Sequence, residues 1–121
     1  MKFIILAGGS GSRLWPVSRD LYPKSLLSLY DGQSLIQNVY KLVLSLTDEK
    51  NVLTVTNAML LDETKIQLKK ICKNPQIIAE PMIKNTASAI TAALYFLKGK
   101  RDETVVILPV DFSVKNEKRL L

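Results

Sequence analysis

Residues 4–26 read ILAGGSGSRLWPVSRDLYPKSLL, and the fold turns on how this stretch is understood. An apolar run with strand character passes directly into Gly8, Gly9, Ser10 and Gly11, and Arg13, Pro16, Pro23 and Lys24 follow at short intervals. A simple turn does not require so much. Glycines lack bulk, so their backbone amides can come close to a ligand, and amides presented this way suit phosphate oxygens. Arg13 adds a rigid fork for bidentate phosphate contact, and Lys24 adds a point charge. Pro16 and Pro23 stiffen the excursion and lower the entropy lost when it closes over a ligand. Taken alone, the glycines read equally well as a turn with exposed cations; the fixed order of the cations and prolines favours phosphate.

Two familiar phosphate motifs are excluded. The dinucleotide fingerprint fails because Gly9-Ser10-Gly11 is followed by Ser12, Arg13 and Leu14. The P-loop fails because Lys24-Ser25 follows Pro23 rather than a glycine.

Working outward, β-rich apolar runs recur at Phe3–Leu6, Val52–Thr56, Gln76–Ala79 and Thr104–Leu108. Segments of helical spacing separate them. Leu35, Ile36, Val39, Leu42, Val43 and Leu46 form one stripe with Ser34 placed as N-cap. Met59 to Cys72 repeats the pattern through Leu61, Ile66, Leu68 and Ile71, with Asp62 as candidate cap. TASAITAALYFL is rich in Ala and Leu and follows Asn85, a good cap residue. Strand and helix in alternation predict an α/β fold: a Rossmann-like, three-layer α/β/α arrangement around a mainly parallel sheet. Strands apolar on both faces agree with a sheet covered on both sides. In such sheets ligands bind beyond the carboxyl ends of the strands. The segments AGGSGSR, NAM, EPMIKN and PVDF follow the four strands in turn, so they share one edge.

The totals narrow the chemistry. With 121 residues, 47% of them hydrophobic and 23% charged, the chain predicts one globular domain over residues 1–121. Its apolar runs are short of a bilayer span, and the first leads into glycines rather than a cleavage site, so a cytoplasmic protein away from membranes is expected. The single cysteine, Cys72, permits no internal disulfide and reads as a buried helix residue. Histidine is absent, which removes Ser/His and Cys/His nucleophiles and His-based zinc sites. The net charge of +6 is spread out, with local density only at Lys65, Lys69 and Lys70 and in KGKR. Without interleaved aromatics or a nucleic-acid motif, that charge suits anionic small substrates better than nucleic acid.

GGSGSRLWPVS followed by YPKSLL resembles the signature of the sugar-nucleotide pyrophosphorylases, nucleotidyltransferases that act on sugar 1-phosphates. Trp15 in RLWP and the later EPMIKNTASAI are similar, more narrowly, to the mannose-1-phosphate guanylyltransferase branch. LPVDF stands where that family has its aspartate-containing motif after the fourth strand. The resemblance implies transfer of a guanylyl group from GTP to mannose 1-phosphate, giving GDP-mannose and pyrophosphate. The sugar phosphate oxygen attacks the α-phosphorus in line, so catalysis is mostly positioning and charge stabilisation, with no protein nucleophile. By the same resemblance Ala7, Gly8, Gly9, Gly11 and Ser12 line the nucleotide. Arg13 faces the departing pyrophosphate, Lys24 contacts the phosphate under attack, and Asp111 holds Mg²⁺.

The base follows from Glu80. Guanine presents two donors on its pairing edge, and a carboxylate accepts both, whereas an amide suits uracil or thymine. Without the resemblance, Glu80-Pro81 reads as the opening of a turn, and Asp111 as a turn or capping residue. Asn85 caps its helix in either case, and with Thr86 and Pro81 it is placed near the base. Trp15 reads as packing.

Several positions depart from the family pattern. Ser12 stands for threonine, Ser25 for glutamine and Lys84 for arginine, all retaining polar character. Phe112 replaces a histidine common after the metal aspartate. The family's catalytic domains are longer than this sequence and draw their sugar pocket and a second metal aspartate from the further part. The chain therefore resembles the N-terminal, nucleotide-binding part of such a domain, completed by a missing half or by a second copy. A sheet ending at the fourth strand would expose an apolar edge. The alternatives are a nucleotide-binding fragment without activity and a nucleotidyltransferase of other base or sugar specificity.

Overall fold

Phe3, Ile4 and Ile5 are each fully buried. Successive strand residues point to opposite faces, so three in a row can be buried only if the sheet is covered on both sides. A computed structural model describes residues 1–9, 24–28, 32–81, 85–97 and 102–113 and shows how this is achieved. Its elements run β1 (Lys2–Leu6), α1 (Leu35–Leu44), β2 (Val52–Asn57), α2 (Leu61–Lys69), β3 (Gln76–Glu80), α3 (Thr86–Leu97) and β4 (Val105–Pro109). The four strands form one parallel sheet in the order β3-β2-β1-β4. The α/β fold expected from the alternation of strands and helices is the one observed.

The strand order dictates where the helices lie. Parallel crossovers are right-handed, so β1→β2→β3 puts α1 and α2 on one face, and the reversal to β4 puts α3 on the other. Burial agrees. Phe3, Ile5 and Ala7 pack with Ile36, Val39, Tyr40 and Val43 of α1 and Leu68 of α2. Ile4, Leu53 and Val55 pack instead with Ala89 and Ala93 of α3. The small alanines let this helix approach the sheet closely, while Leu94, Tyr95 and Phe96 remain exposed. Among the described residues β3 and β4 are the two edges, and Ile107 of β4 is 36% exposed.

Helix α1 begins as its sequence predicts. Ser34 Oγ accepts from the Gln37 N–H at 3.4 Å, and Gln37 Oε1 accepts from the Ser34 N–H at 3.0 Å, a reciprocal capping box. Gln37 Nε2 also donates to the Gln67 carbonyl at 3.0 Å, tying α1 to α2.

Helix α2 departs from expectation at two points. Asp62 lies in its first turn and is not the cap. The chain enters through a 3-10 turn, Ala58–Leu60, whose Leu60 N–H is accepted by Asn57 Oδ1 at 3.0 Å. The buried face carries Thr64, Gln67 and Leu68, so Ile66 turns outward to solvent. Thr64 sets this phase, because its hydroxyl meets that of Thr56 on β2 at 3.4 Å. A hydrogen-bonded pair there leaves neither of these two buried hydroxyls unpartnered.

Cys72 and Tyr40 meet in the core, the thiol donating to Tyr40 Oη at 3.5 Å. Burial pushes the Cys72 thiol up from its ordinary 9.0; the bond to Tyr40 opposes the shift, and the Glu49 charge adds to it. Burial also holds the Tyr40 phenol well above its ordinary 10.0, with the bond to Cys72 acting in the same direction. Both groups ionise more readily when unfolded, so this contribution to stability is complete below their ordinary values and declines above them. Thermal melting should accordingly hold steady between pH 7 and 8 and fall progressively above pH ~9. Ser34→Ala should cost about 1 kcal/mol in urea unfolding at unchanged m-value.

Candidate functional site

All parallel strands of the sheet point their carboxyl ends toward one edge, and the strand order reverses between β1 and β4. The crevice at such a reversal is where open α/β sheets bind ligands. Gly8 and Gly9 follow β1 on one side of it, and Asp111 and Phe112 follow β4 on the other. The two segments are tied together, the Val110 N–H donating to the Leu6 carbonyl at 3.2 Å.

Gly8 is the residue around which the edge is organised. A Cβ there would stand 3.4 Å from Glu80 Oε2, 3.6 Å from the Thr56 carbonyl carbon and 3.7 Å from the Asn57 nitrogen. The Glu80 carboxylate therefore reaches across the end of β2 to the first glycine of the loop. The register explains this. Asn57 pairs with Glu80, and Val55 with both Leu6 and Ile78, so positions 8, 57 and 80 continue the face packed by α3. Helix α3 starts at the same edge, with Asn85 Oδ1 accepting from the Ser88 N–H at 3.2 Å. Gly8, Asn57, Glu80 and Asn85 thus converge on one side of the sheet edge.

The remaining residues of sequence interest fall as follows. Ala7 commits its N–H to the Val55 carbonyl at 2.7 Å and its methyl to the core, so it offers the edge only its carbonyl. Gly9 is exposed, with nothing within 4 Å of a Cβ built on it. Pro81 and Thr86 are exposed beside Glu80 and Asn85. Lys24 opens a 3-10 turn, Lys24–Leu26, that Leu26 anchors in the core against α1. The Leu35 N–H donates to the Leu27 carbonyl at 3.1 Å, which fixes that turn beside the start of α1, also at the carboxyl edge. Gly11, Ser12, Arg13, Trp15, Pro16 and Pro23 lie outside the described residues. So does Lys84.

Asp111 is exposed immediately after β4, and Phe112 is packed against the core on the α1 side. Among the described residues no three acidic, cysteine or histidine side chains gather as a metal cage. Mg²⁺ retains waters and takes one or two carboxylates together with phosphate oxygens, and an exposed carboxylate at this edge is of the donor type that ion accepts.

The profile of the nucleotidyl transferase family matches residues 2–120. The chain belongs to that family. It is 38% identical over 120 residues to a mannose-1-phosphate guanylyltransferase of Escherichia coli, covering 95% of this chain and 25% of that protein. It is 34% identical over 119 residues to the alginate biosynthesis protein AlgA of Pseudomonas putida, covering 97% and 24% respectively. This nucleotidyl transferase chain thus spans about a quarter of the length of the curated relatives it matches. Among solved structures, a protein described as mannose-1-phosphate geranyltransferase from Thermus thermophilus superposes with a TM-score of 0.74. At 24% identity, over 97% of this chain and 34% of that one, the likeness is one of fold. A Helicobacter pylori structure described as mannose-6-phosphate isomerase gives 0.68 at 28% identity, over 98% of this chain and 42% of that one.

No helix among the described residues is long and apolar enough to cross a membrane. The sequence marks NAM as the segment after β2 without singling out Asn57, whose nearness to Gly8 and Glu80 emerges only from the strand register.

The two described glycines of the loop should respond differently to substitution. Gly8→Val adds methyls beyond a Cβ already touching the Glu80 carboxylate and the β2 backbone, and should destabilise the fold by ~1–3 kcal/mol. Gly9→Ala meets open space and should melt within about 0.5 kcal/mol of the parent. Paired chemical-denaturation curves read both.

Proposed function

We propose that this chain binds GTP at the carboxyl edge of its sheet and serves guanylyl transfer to mannose 1-phosphate, with release of pyrophosphate. The observation that carries this reading is the approach of the Glu80 carboxylate to Gly8 at the topological switch point. That approach supports reading the Glu80 carboxylate as the acceptor for two base donors and the adjoining glycines as the phosphate loop. The similarity to mannose-1-phosphate guanylyltransferases over nearly the whole chain supports the choice of base and sugar.

In this mechanism Glu80 accepts from the ring N–H and the exocyclic amine of guanine, a pairing that a base with one donor cannot match. The amides of Gly8, Gly9 and Gly11 and the hydroxyl of Ser12 hold the triphosphate. Asn85, already fixed by its capping bond, and Thr86 border the base with Pro81. Lys24 approaches the α-phosphate, where charge grows as the sugar phosphate oxygen attacks, and Arg13 takes up charge on the departing pyrophosphate. Asp111 would hold Mg²⁺, which when bound neutralises triphosphate charge. No covalent enzyme intermediate is required, in keeping with a chain that contains no histidine.

Calorimetric titration of the chain with GTP and UTP, with and without Mg²⁺, tests the reading. GTP should bind more tightly than UTP and more tightly with Mg²⁺. Glu80→Gln should weaken GTP by about tenfold or more, because losing a bidentate base contact costs ~1–3 kcal/mol. Equal binding of GTP and UTP would overturn the assignment of the base. Release of pyrophosphate on adding mannose 1-phosphate would establish turnover by the chain itself, and tight GTP binding without release would confine its role to the nucleotide.

A further inference from the structure

Glu80 satisfies only part of the guanine edge. The base also carries an acceptor, the O6 carbonyl, beside its two donors, and a site that leaves it without a donor forfeits discrimination. Asn57 is the residue that the strand register sets beside Glu80. It is the registered partner of Glu80 on the neighbouring strand, so both side chains leave the same face of the sheet. Its backbone nitrogen borders the space left by the absent Gly8 Cβ, at 3.7 Å, as the Glu80 carboxylate does at 3.4 Å.

The state of its amide is also determined. Asn57 Oδ1 accepts from the Leu60 N–H at 3.0 Å. Only the oxygen end can accept from an N–H, so the amide orientation is fixed by its own hydrogen bond. Nδ2 therefore carries the remaining hydrogen-bonding capacity, and it is donor-only. The residue is 7% exposed and its amide is bonded to Leu60, so the side chain is held in one arrangement before any ligand arrives and loses little freedom on binding.

We propose that Asn57 is a second specificity-determining residue of the nucleotide site, its Nδ2 donating to guanine O6 while Glu80 accepts from the two base donors. The inference rests on the guanine reading above. Together the two side chains present an acceptor–acceptor–donor row that matches guanine. The same row opposes adenine, which offers an amine where O6 would be and a bare ring nitrogen where Glu80 needs a donor.

The test uses nucleotides that remove one base group at a time. ITP lacks the exocyclic amine and keeps O6; 6-thio-GTP keeps both donors and replaces O6 by weakly accepting sulfur. The full chain and Asn57→Ser are titrated with GTP, UTP and both analogues, and each protein is melted. Serine is a good cap residue, so the turn at Leu60 should keep its acceptor and the melting temperature should change little. In the parent, both analogues should bind about tenfold or more weakly than GTP. In Asn57→Ser, GTP should weaken to the level of 6-thio-GTP, and the two should become indistinguishable while ITP stays weaker.

An Asn57→Ser protein that binds GTP like the parent, or that keeps the full GTP to 6-thio-GTP ratio, would reduce Asn57 to a capping residue and overturn the proposal. Guanine recognition through Glu80 would survive that result, because the ITP penalty and the preference for GTP over UTP report it separately. A parent that binds GTP and UTP equally would remove the guanine reading and this proposal together. Should the serine variant fail to fold, Asn57→Asp retains side-chain length and cap acceptor while replacing the donor by an acceptor. The parent's own GTP to 6-thio-GTP ratio is decisive in either case: equal binding overturns the proposal.

Discussion

The handedness of parallel crossovers governs this molecule more than any single contact. A chain that adds strands in one direction must keep its helices on one face, and it can cover the second face only by reversing. The reversal at β1 does so, among the described residues, with helix α3, and it sets the segments that follow β1 and β4 on the two sides of the switch point. Covering the sheet and opening a crevice are one event. The full burial of Ile4 beside Phe3 and Ile5 is the energetic sign of the first, and the neighbouring ends of β1 and β4, paired through Leu6 and Pro109, mark the place of the second.

Side-chain alternation carries this constraint to the edge. Residues that pack against α3 within the sheet are followed, two positions on, by polar or small residues that face the same side. Val55 leads to Asn57, Ile78 to Glu80 and Leu6 to Gly8. The core and the polar cluster above it are thus successive layers of one pattern, and strand register sets the spacing of both.

Much of this is legible in the residues. Four apolar runs mark the strands, Ser34 and Gln37 announce the start of α1, and Asn85 announces α3. What escapes sequence reading depends on neighbours remote in the chain. Asp62 resembles a cap until Asn57 is seen to begin the turn five residues earlier, and Ile66 resembles a core residue until Thr64 finds Thr56. Among the site residues, Glu80 and Gly8 stand out through their local motifs, and the structure brings them together. Asn57 has no such motif, since a polar residue after a strand usually marks a turn. Only pairing with β3 distinguishes it.

The two edge strands have a bearing on the behaviour of the chain in concentrated solution. Within the sheet of described residues β3 and β4 each pair on one side only, and the helix α3 beneath the sheet turns Leu94, Tyr95 and Phe96 to solvent. A sheet open at both margins can accept strands from other molecules without closing on itself, the geometry of linear growth rather than of a finite complex. The net charge of +6 opposes such growth by long-range repulsion, and added salt screens that repulsion while leaving the apolar margin unchanged. Raising ionic strength therefore weakens the repulsion between copies of the described sheet and leaves its unpaired strand flanks unchanged.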